Sequence, residues 1–297
     1  MLVLYKNTVA NCSIKEVSGM KKKEGIKQPD KLWKAMKTQL KTFLKTDDQD
    51  DLHQFRIYVK KLKAMLTLYS FKPENKGLLK HFKPVKRVFG KAGNVRNAYV
   101  NLKLGEKHRL NDEHFNHHQQ KTLDKELEEF KNKGSKYLKQ LKKTHTALQN
   151  NLQRMHNKTI RNFYQDKLAQ AGVFFTAPNF GEEMHTARKN IKLLVYNQAL
   201  AAKALKNKQQ INLNYLDELQ NAIGQWHDHN LALETLSKTN AAGEEAVINI
   251  KNSNAYLEQE ILELAENFKE RVGTVEDAAV KVLPSIDLKR KEHGRRN

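Results

Sequence analysis

Two stretches of the chain share the pattern H-x-x-R-x-x-x-K: His53, Arg56 and Lys60, then His185, Arg188 and Lys192, 132 residues further on. In the first, at about 100° per residue, His53, Arg56, Lys60 and Lys63 fall within an arc of about 80° of one helix. Phe55, Val59, Leu62, Leu66 and Tyr69 fill a second arc of similar width. Such a helix carries cationic or proton-binding side chains in line over about 15 Å, at about 1.5 Å per residue. Arginine offers a rigid fork of donors to phosphate oxygens and lysine a mobile point charge. The stripe therefore suits an extended anion; taken alone, it also fits a solvated Lys/Arg face.

A further basic stretch follows, in which Lys80, Lys83, Lys86, Arg87, Lys91 and Arg96 interleave with Leu79, Phe82, Val85, Val88, Phe89 and Val95. About forty residues after each histidine a glycine element recurs, Gly93-Asn-Val-Arg96-Asn97 and Gly224-Gln-Trp-His227-Asp228, 131 residues apart. Two elements in the same order at a nearly constant offset indicate an internal duplication. Duplicated helical units usually pack about a pseudo-two-fold axis, which would let both stripes line one cavity.

Charge supports an anionic partner. The formal net charge is +21, and residues 1–150 hold 34 Lys+Arg against 15 Asp+Glu, while residues 151–297 hold 20 against 18. Residues 51–100 alone hold 12 basic and 2 acidic side chains. An excess of this size makes the compact state repel itself unless something negative offsets it.

Other chemistry finds little footing. Cys12 is the lone cysteine, so neither a disulfide framework nor a cysteine zinc site is expected, and a reducing cytoplasm is the natural compartment. No secretory leader or run of eighteen apolar residues is seen, so no membrane partner is expected. G-x-x-x-x-G-K-[ST], H-E-x-x-H, C-x-x-C and E-x-E-x-K patterns are all absent, so the chain does not read as an enzyme and implies no cofactor. His108, His114, His117 and His118 cluster in sequence, where a solvated polar face competes with adventitious metal binding. A nucleic-acid-binding helical protein would account equally for the charge, with weak non-specific binding as its minimum. The aromatics, however, fall at apolar helical positions and not among the basic side chains as stacking platforms.

The elements that position these residues read as helices throughout, since Leu, Lys, Ala, Glu and Gln dominate and proline is scarce. Residues 1–29 read as a flexible basic lead-in. A first helix is expected from Asp30 as N-cap, with Leu32, Trp33, Met36, Leu40, Phe43 and Leu44 at helical spacing. The acidic cluster at 47–51 suits the start of the second helix, and Lys72-Pro73 its end. Pro84 and the Gly90/Gly93 pair predict a break of residues 78–104 into two pieces. Long helices fill 107–170 with a break near Lys133-Gly134, and 172–181 reads as the linker between repeats of about 30–171 and 180–285. Glu182 to Leu205 and Glu244 to Val272 read as single helices and Ile211 to Leu236 as glycine-interrupted; residues 286–297 form a basic tail.

Over roughly residues 30–285 the paired H-x-x-R-x-x-x-[KR] and glycine elements resemble the CHAD domains, named for a conserved histidine and α-helical content. The resemblance implies an all-α fold of two four-helix bundles related by pseudo-two-fold symmetry. Between them it implies a basic central cavity that binds inorganic polyphosphate, without catalysis. It also implies targeting to polyphosphate or its granules as one role. His53, Arg56, Lys60, Lys61 and Lys63 match the first basic helix, and Arg96 the arginine of the first glycine element. Lys80, Lys83, Lys86 and Arg87 add to that wall. In the first copy Asn97 replaces an aspartate; in the second His185, Arg188 and Lys192 match, but Val195 replaces a basic residue and His227 stands where the first copy has Arg96. The second half is therefore expected to contribute fewer contacts.

Overall fold

The structure, a computed structural model, describes residues 22–75, 77–107, 113–153, 155–205, 211–237 and 244–273, and among them no strand occurs. The expected tail at 286–297 and most of the N-terminal lead-in lie outside the described residues.

The first helix, α1 (Lys22–Thr46), packs on α2 (Gln49–Ser70). Their apolar periods form the buried faces: Trp33, Met36, Leu40 and Phe43 are buried in one core with Leu52, Phe55, Val59, Leu62, Leu66 and Tyr69. The start of α1 is not where the N-cap rule puts it. The helix runs through Pro29 from Lys22, and the Asp30 carboxylate instead accepts from His145 Nε2 at 2.8 Å and Gln149 Nε2 at 3.0 Å. The acidic cluster does open α2: Asp48 Oδ1 accepts the Asp50 N–H at 2.8 Å, and Asp47 takes φ of 59°, which aspartate tolerates better than most residues.

Beyond a short 3-10 turn at Pro73–Asn75 come α3 (Leu78–His81) and α4 (Lys83–Lys107). The chain bends at Phe82, ahead of Pro84, but α4 passes unbroken through Gly90 and Gly93, so the predicted glycine break does not occur. Gly93 has another use, described below. Next come α5 (Glu113–Asn132) and α6 (Gly134–Asn151), divided at Lys133 as expected, and then α7 (Asn157–Thr176). The passage between α6 and α7 carries no glycine or proline, so the sequence did not mark it.

After α7 follow α8 (Glu182–Tyr196), α9 (Gln198–Leu205), α10 (Leu213–Ser237), α11 (Glu244–Ala265) and α12 (Phe268–Gly273). Three expectations change here. The helix continues through Gly172 to Thr176, so the expected linker starts only after it, and α7 packs on α8, α9 and α12. The helix from Glu182 breaks at Asn197, whose buried Nδ2 donates to the carbonyls of Ala64 (3.1 Å) and Leu193 (2.8 Å). The last long helix breaks before Phe268, where Asn267 takes φ of 53°. The glycine at 224 again leaves its helix, α10, intact.

At the centre, α2 packs on α1, α4 and α8, while α8 packs on α2, α7 and α10. One apolar core runs through these helices, and a smaller cluster joins Phe115 to Ala232, Leu236 and Ile250. None of the described helices is long and apolar enough to cross a membrane.

Candidate functional site

The polar edge of α2 is held by an unusual seat for Arg56. Its Nη1 donates to the Phe89 carbonyl of α4 at 2.9 Å, and its guanidinium carbon lies 4.2 Å from the centre of the Phe89 ring. A helix carbonyl can accept a second hydrogen bond because it has two lone pairs, but a side chain on the next turn would block the approach. Here the next turn holds Gly93, where an added Cβ would lie 2.7 Å from Arg56 Nη1.

The second copy builds the same seat. Arg188 Nε donates to the Gln220 carbonyl of α10 at 3.0 Å, and a Cβ at Gly224 would meet Nη2 outright and lie 2.9 Å from Cζ. Arginine and glycine are thus partners in each repeat: the glycine opens the backbone, and the arginine is fixed with donors to spare. Burial holds both arginines below their ordinary pKa; Arg96 pushes Arg56 the same way, whereas Asp228 and Tyr196 oppose the effect at Arg188.

Each histidine sits one turn before its arginine, facing the end of the glycine element. Burial lowers the His53 pKa first, then the charges of Arg96 and Lys60. In the second copy the His185 and His227 rings lie 4.7 Å apart, and burial, followed by Lys189 and His227, lowers His185. Both imidazoles are therefore biased toward the neutral form. The fixed charge beside them comes from arginine and lysine.

The two copies meet across the α2–α8 contact. Lys60 is lowered by burial, then by Arg56 from its own helix and Arg188 from the other, against a smaller opposing effect of Asp228. Lys192 is pushed down to about 8 by burial, then by Arg188 and Lys60, with Asp228 and Asp217 opposing. Lys63 is lowered by burial, then by Lys86 of α4 and Lys189 of α8. Lys60 and Lys63 are exposed by surface area, yet surrounding protein desolvates their ammonium groups. Among the described residues, none of these lysines or arginines forms a salt bridge.

Of the residues predicted from sequence, the structure gathers His53, Arg56, Lys60, Lys63, Lys86, Arg96, His185, Arg188 and Lys192. The interactions described tie neither Lys61, Lys80, Lys83 nor Arg87 to this cluster: Lys61 lies over the Tyr58 ring at 5.8 Å, and the other three are exposed on α3 and the start of α4. Sequence reasoning missed Lys189. It stands one turn from both His185 and Lys192, so its periodicity could have found it, and its charge acts on Lys63. Reasoning also missed the roles of Asp217 and Asp228 as local counter-charges. His114, His117 and His118 are exposed on α5, and no group of His, Cys, Asp or Glu able to hold a metal occurs among the described residues; His108 lies outside them.

A search of the curated proteins finds no match. A solved structure, the crystal structure of the CHAD domain from the plant Ricinus communis, is similar with a TM-score of 0.54 at 14% identity, over 82% of this chain and 87% of that one. The family model of the CHAD domain matches residues 29–237, which contain both arginine–glycine seats. The chain belongs to the CHAD domain family.

Proposed function

We propose that this protein is an inorganic polyphosphate-binding module that holds the polyanion in a Lys/Arg/His-lined cavity between two helical repeats and acts by binding alone. The observation that carries this reading is the convergence of α2 and α8. Arg56, Lys60 and Lys63 from one, and Arg188, Lys189 and Lys192 from the other, lie within electrostatic reach and form no salt bridge among the described residues. Polyphosphate carries a charge on every unit and no bases to read, so it asks for donors along a path. Membership of the CHAD family favours the same ligand.

The repeated contacts support a pseudo-two-fold arrangement of two bundles. The packing of α1 on α2, α2 on α4 and α4 on α5 recurs as α7 on α8, α8 on α10 and α10 on α11. In this reading the cavity lies along the α2–α8 contact, with α4 and α10 as its sides. A cytoplasmic location, at polyphosphate granules, goes with such a module.

Titration of long-chain polyphosphate, RNA and single-stranded DNA at near-physiological salt tests the proposal. Polyphosphate is expected to saturate the protein at the lowest concentration; equal or tighter nucleic-acid binding would reject the reading in favour of a nucleic-acid-binding helical protein.

A further inference from the structure

The cavity does not use up the charge of the first half. Between Lys31 and Thr46, α1 carries five lysines and no acidic residue, and α6 carries none either. These two helices pack antiparallel, with Leu44 against Gly134, Trp33 stacked on His145 at 4.9 Å, and Asp30 bonded to Gln149. Lys34, Lys41 and Lys45 of α1 and Lys139 and Lys142 of α6 are exposed, Lys37 is half-buried, and none of the six forms a salt bridge among the described residues. Packed helix axes lie about 8–10 Å apart, within about one Debye length at 0.1 M salt, so these rows repel one another across the pair.

The fold does not demand such a face. Helix α7, which packs on α8 as α1 packs on α2, pairs its Lys167 with Asp166 at 3.1 Å, and α12 mixes Lys269 and Arg271 with Glu270. We propose that the lysine face of α1 and α6 is a second polyphosphate-binding surface, reached from the cavity over the α3–α4 corner, so that one long chain occupies both. This rests on the polyphosphate reading above.

The corner supplies the path. Lys86 repels Lys63 at the cavity end of α4, Lys83 stands one turn before it, and Lys80 lies on α3. Between those lysines, Phe82 packs edge-on against Trp33 at 6.2 Å, and Trp33 in turn lies on His145 of α6. The exposed lysines that stay out of the cavity cluster thus sit where a chain would cross from one surface to the other. The chemistry of the face fits a flexible phosphate polymer better than single-stranded RNA: its cations are all lysine, and Trp33, Phe43 and Tyr137 are buried and offer no stacking platform. A tether already held in the cavity raises the effective concentration at the face, so only long chains gain.

The test compares tripolyphosphate with long-chain polyphosphate on wild type, on K34Q/K41Q/K139Q/K142Q and on R56Q/R188Q, with thermal melts as the folding control. The quadruple variant is expected to melt as wild type, to keep tripolyphosphate affinity, and to lose about tenfold in long-chain affinity with a shallower salt dependence. Unchanged long-chain affinity would overturn the inference, as would an equal loss for both ligands, which would mean a general field effect. Loss of RNA or anionic-vesicle binding with polyphosphate binding intact would also overturn it, assigning the face to that partner. R56Q/R188Q separates the two readings: if it keeps tripolyphosphate affinity, the cavity assignment fails, whatever the lysine face does.

Discussion

Arg56 and Arg188 gain their positions from residues with no side chain. A glycine inside a helix costs roughly 0.5–1 kcal/mol relative to alanine, and Gly93 and Gly224 bear that cost where each arginine crosses the backbone. Replacing Gly93 with alanine should therefore leave stability within about 1 kcal/mol of wild type, since the clashing atom is the free end of a flexible side chain. Polyphosphate affinity should nevertheless fall about tenfold, the equivalent of one charge-assisted hydrogen bond of about 1.5–3 kcal/mol. Chemical denaturation and a binding titration on one sample separate these effects. A large stability loss with affinity retained would make the glycine purely structural.

Lys192 gives the site a pH signature. Its folded pKa of about 8 lies below the ordinary 10.5, so between those values the unfolded chain binds more protons and the ligand-free protein should gain stability as pH rises. Below pH 8 both states are protonated and the repulsion acts in full. Binding should run the other way, weakening as pH rises through about 8 when the ammonium is lost. Melting curves and titrations at pH 7 and 9, on wild type and K192R, would show both trends, and the variant should flatten them because arginine stays charged.

At the level of helices, α2 and α8 carry matching motifs but not equal charge. Asp228 opposes the lowering at Arg188, Lys60 and Lys192, and Asp217 at Lys192, so α8 enters binding already partly offset. Charge reversal at Arg56 and Lys60 should therefore reduce polyphosphate affinity more than reversal at Arg188 and Lys192. Isothermal titration of the two double variants compares them directly; an equal or larger loss from the second pair would contradict the expected asymmetry.

Helix periodicity made α2 legible, because Phe55, Val59, Leu62, Leu66 and Tyr69 had only one face to bury. The paired histidines and arginines of the site were legible for the same reason, as spacing on one helix. What stayed hidden depended on tertiary contacts. Gly93 read as a breaker because the guanidinium that needs it is far away in sequence, and the break at Asn197 exists because its amide docks on Ala64 of α2. The passage at 152–156 carries no glycine or proline, so punctuation marked only the turn at 172–181, although α7 runs on to Thr176. Removing the docking amide with N197A should cost about 1–3 kcal/mol by urea denaturation, since it leaves the Ala64 carbonyl short of a buried partner.

For the whole molecule, the net charge of +21 comes largely from the first half of the chain, where residues 1–150 hold 34 Lys+Arg against 15 Asp+Glu. Charge alone cannot choose a polyanion, because any phosphate polymer releases counterions on binding. On the proposed function, discrimination comes from the fixed arginines, Arg56 and Arg188, seated against Gly93 and Gly224. The most direct measurement is therefore the binding of long-chain polyphosphate and of RNA to wild type and to R56Q/R188Q at near-physiological salt. Tight polyphosphate binding that falls at least about tenfold in the variant, with weaker RNA binding that barely changes, is the result expected. RNA bound as tightly as polyphosphate, or polyphosphate affinity that survives the loss of both arginines, would contradict it.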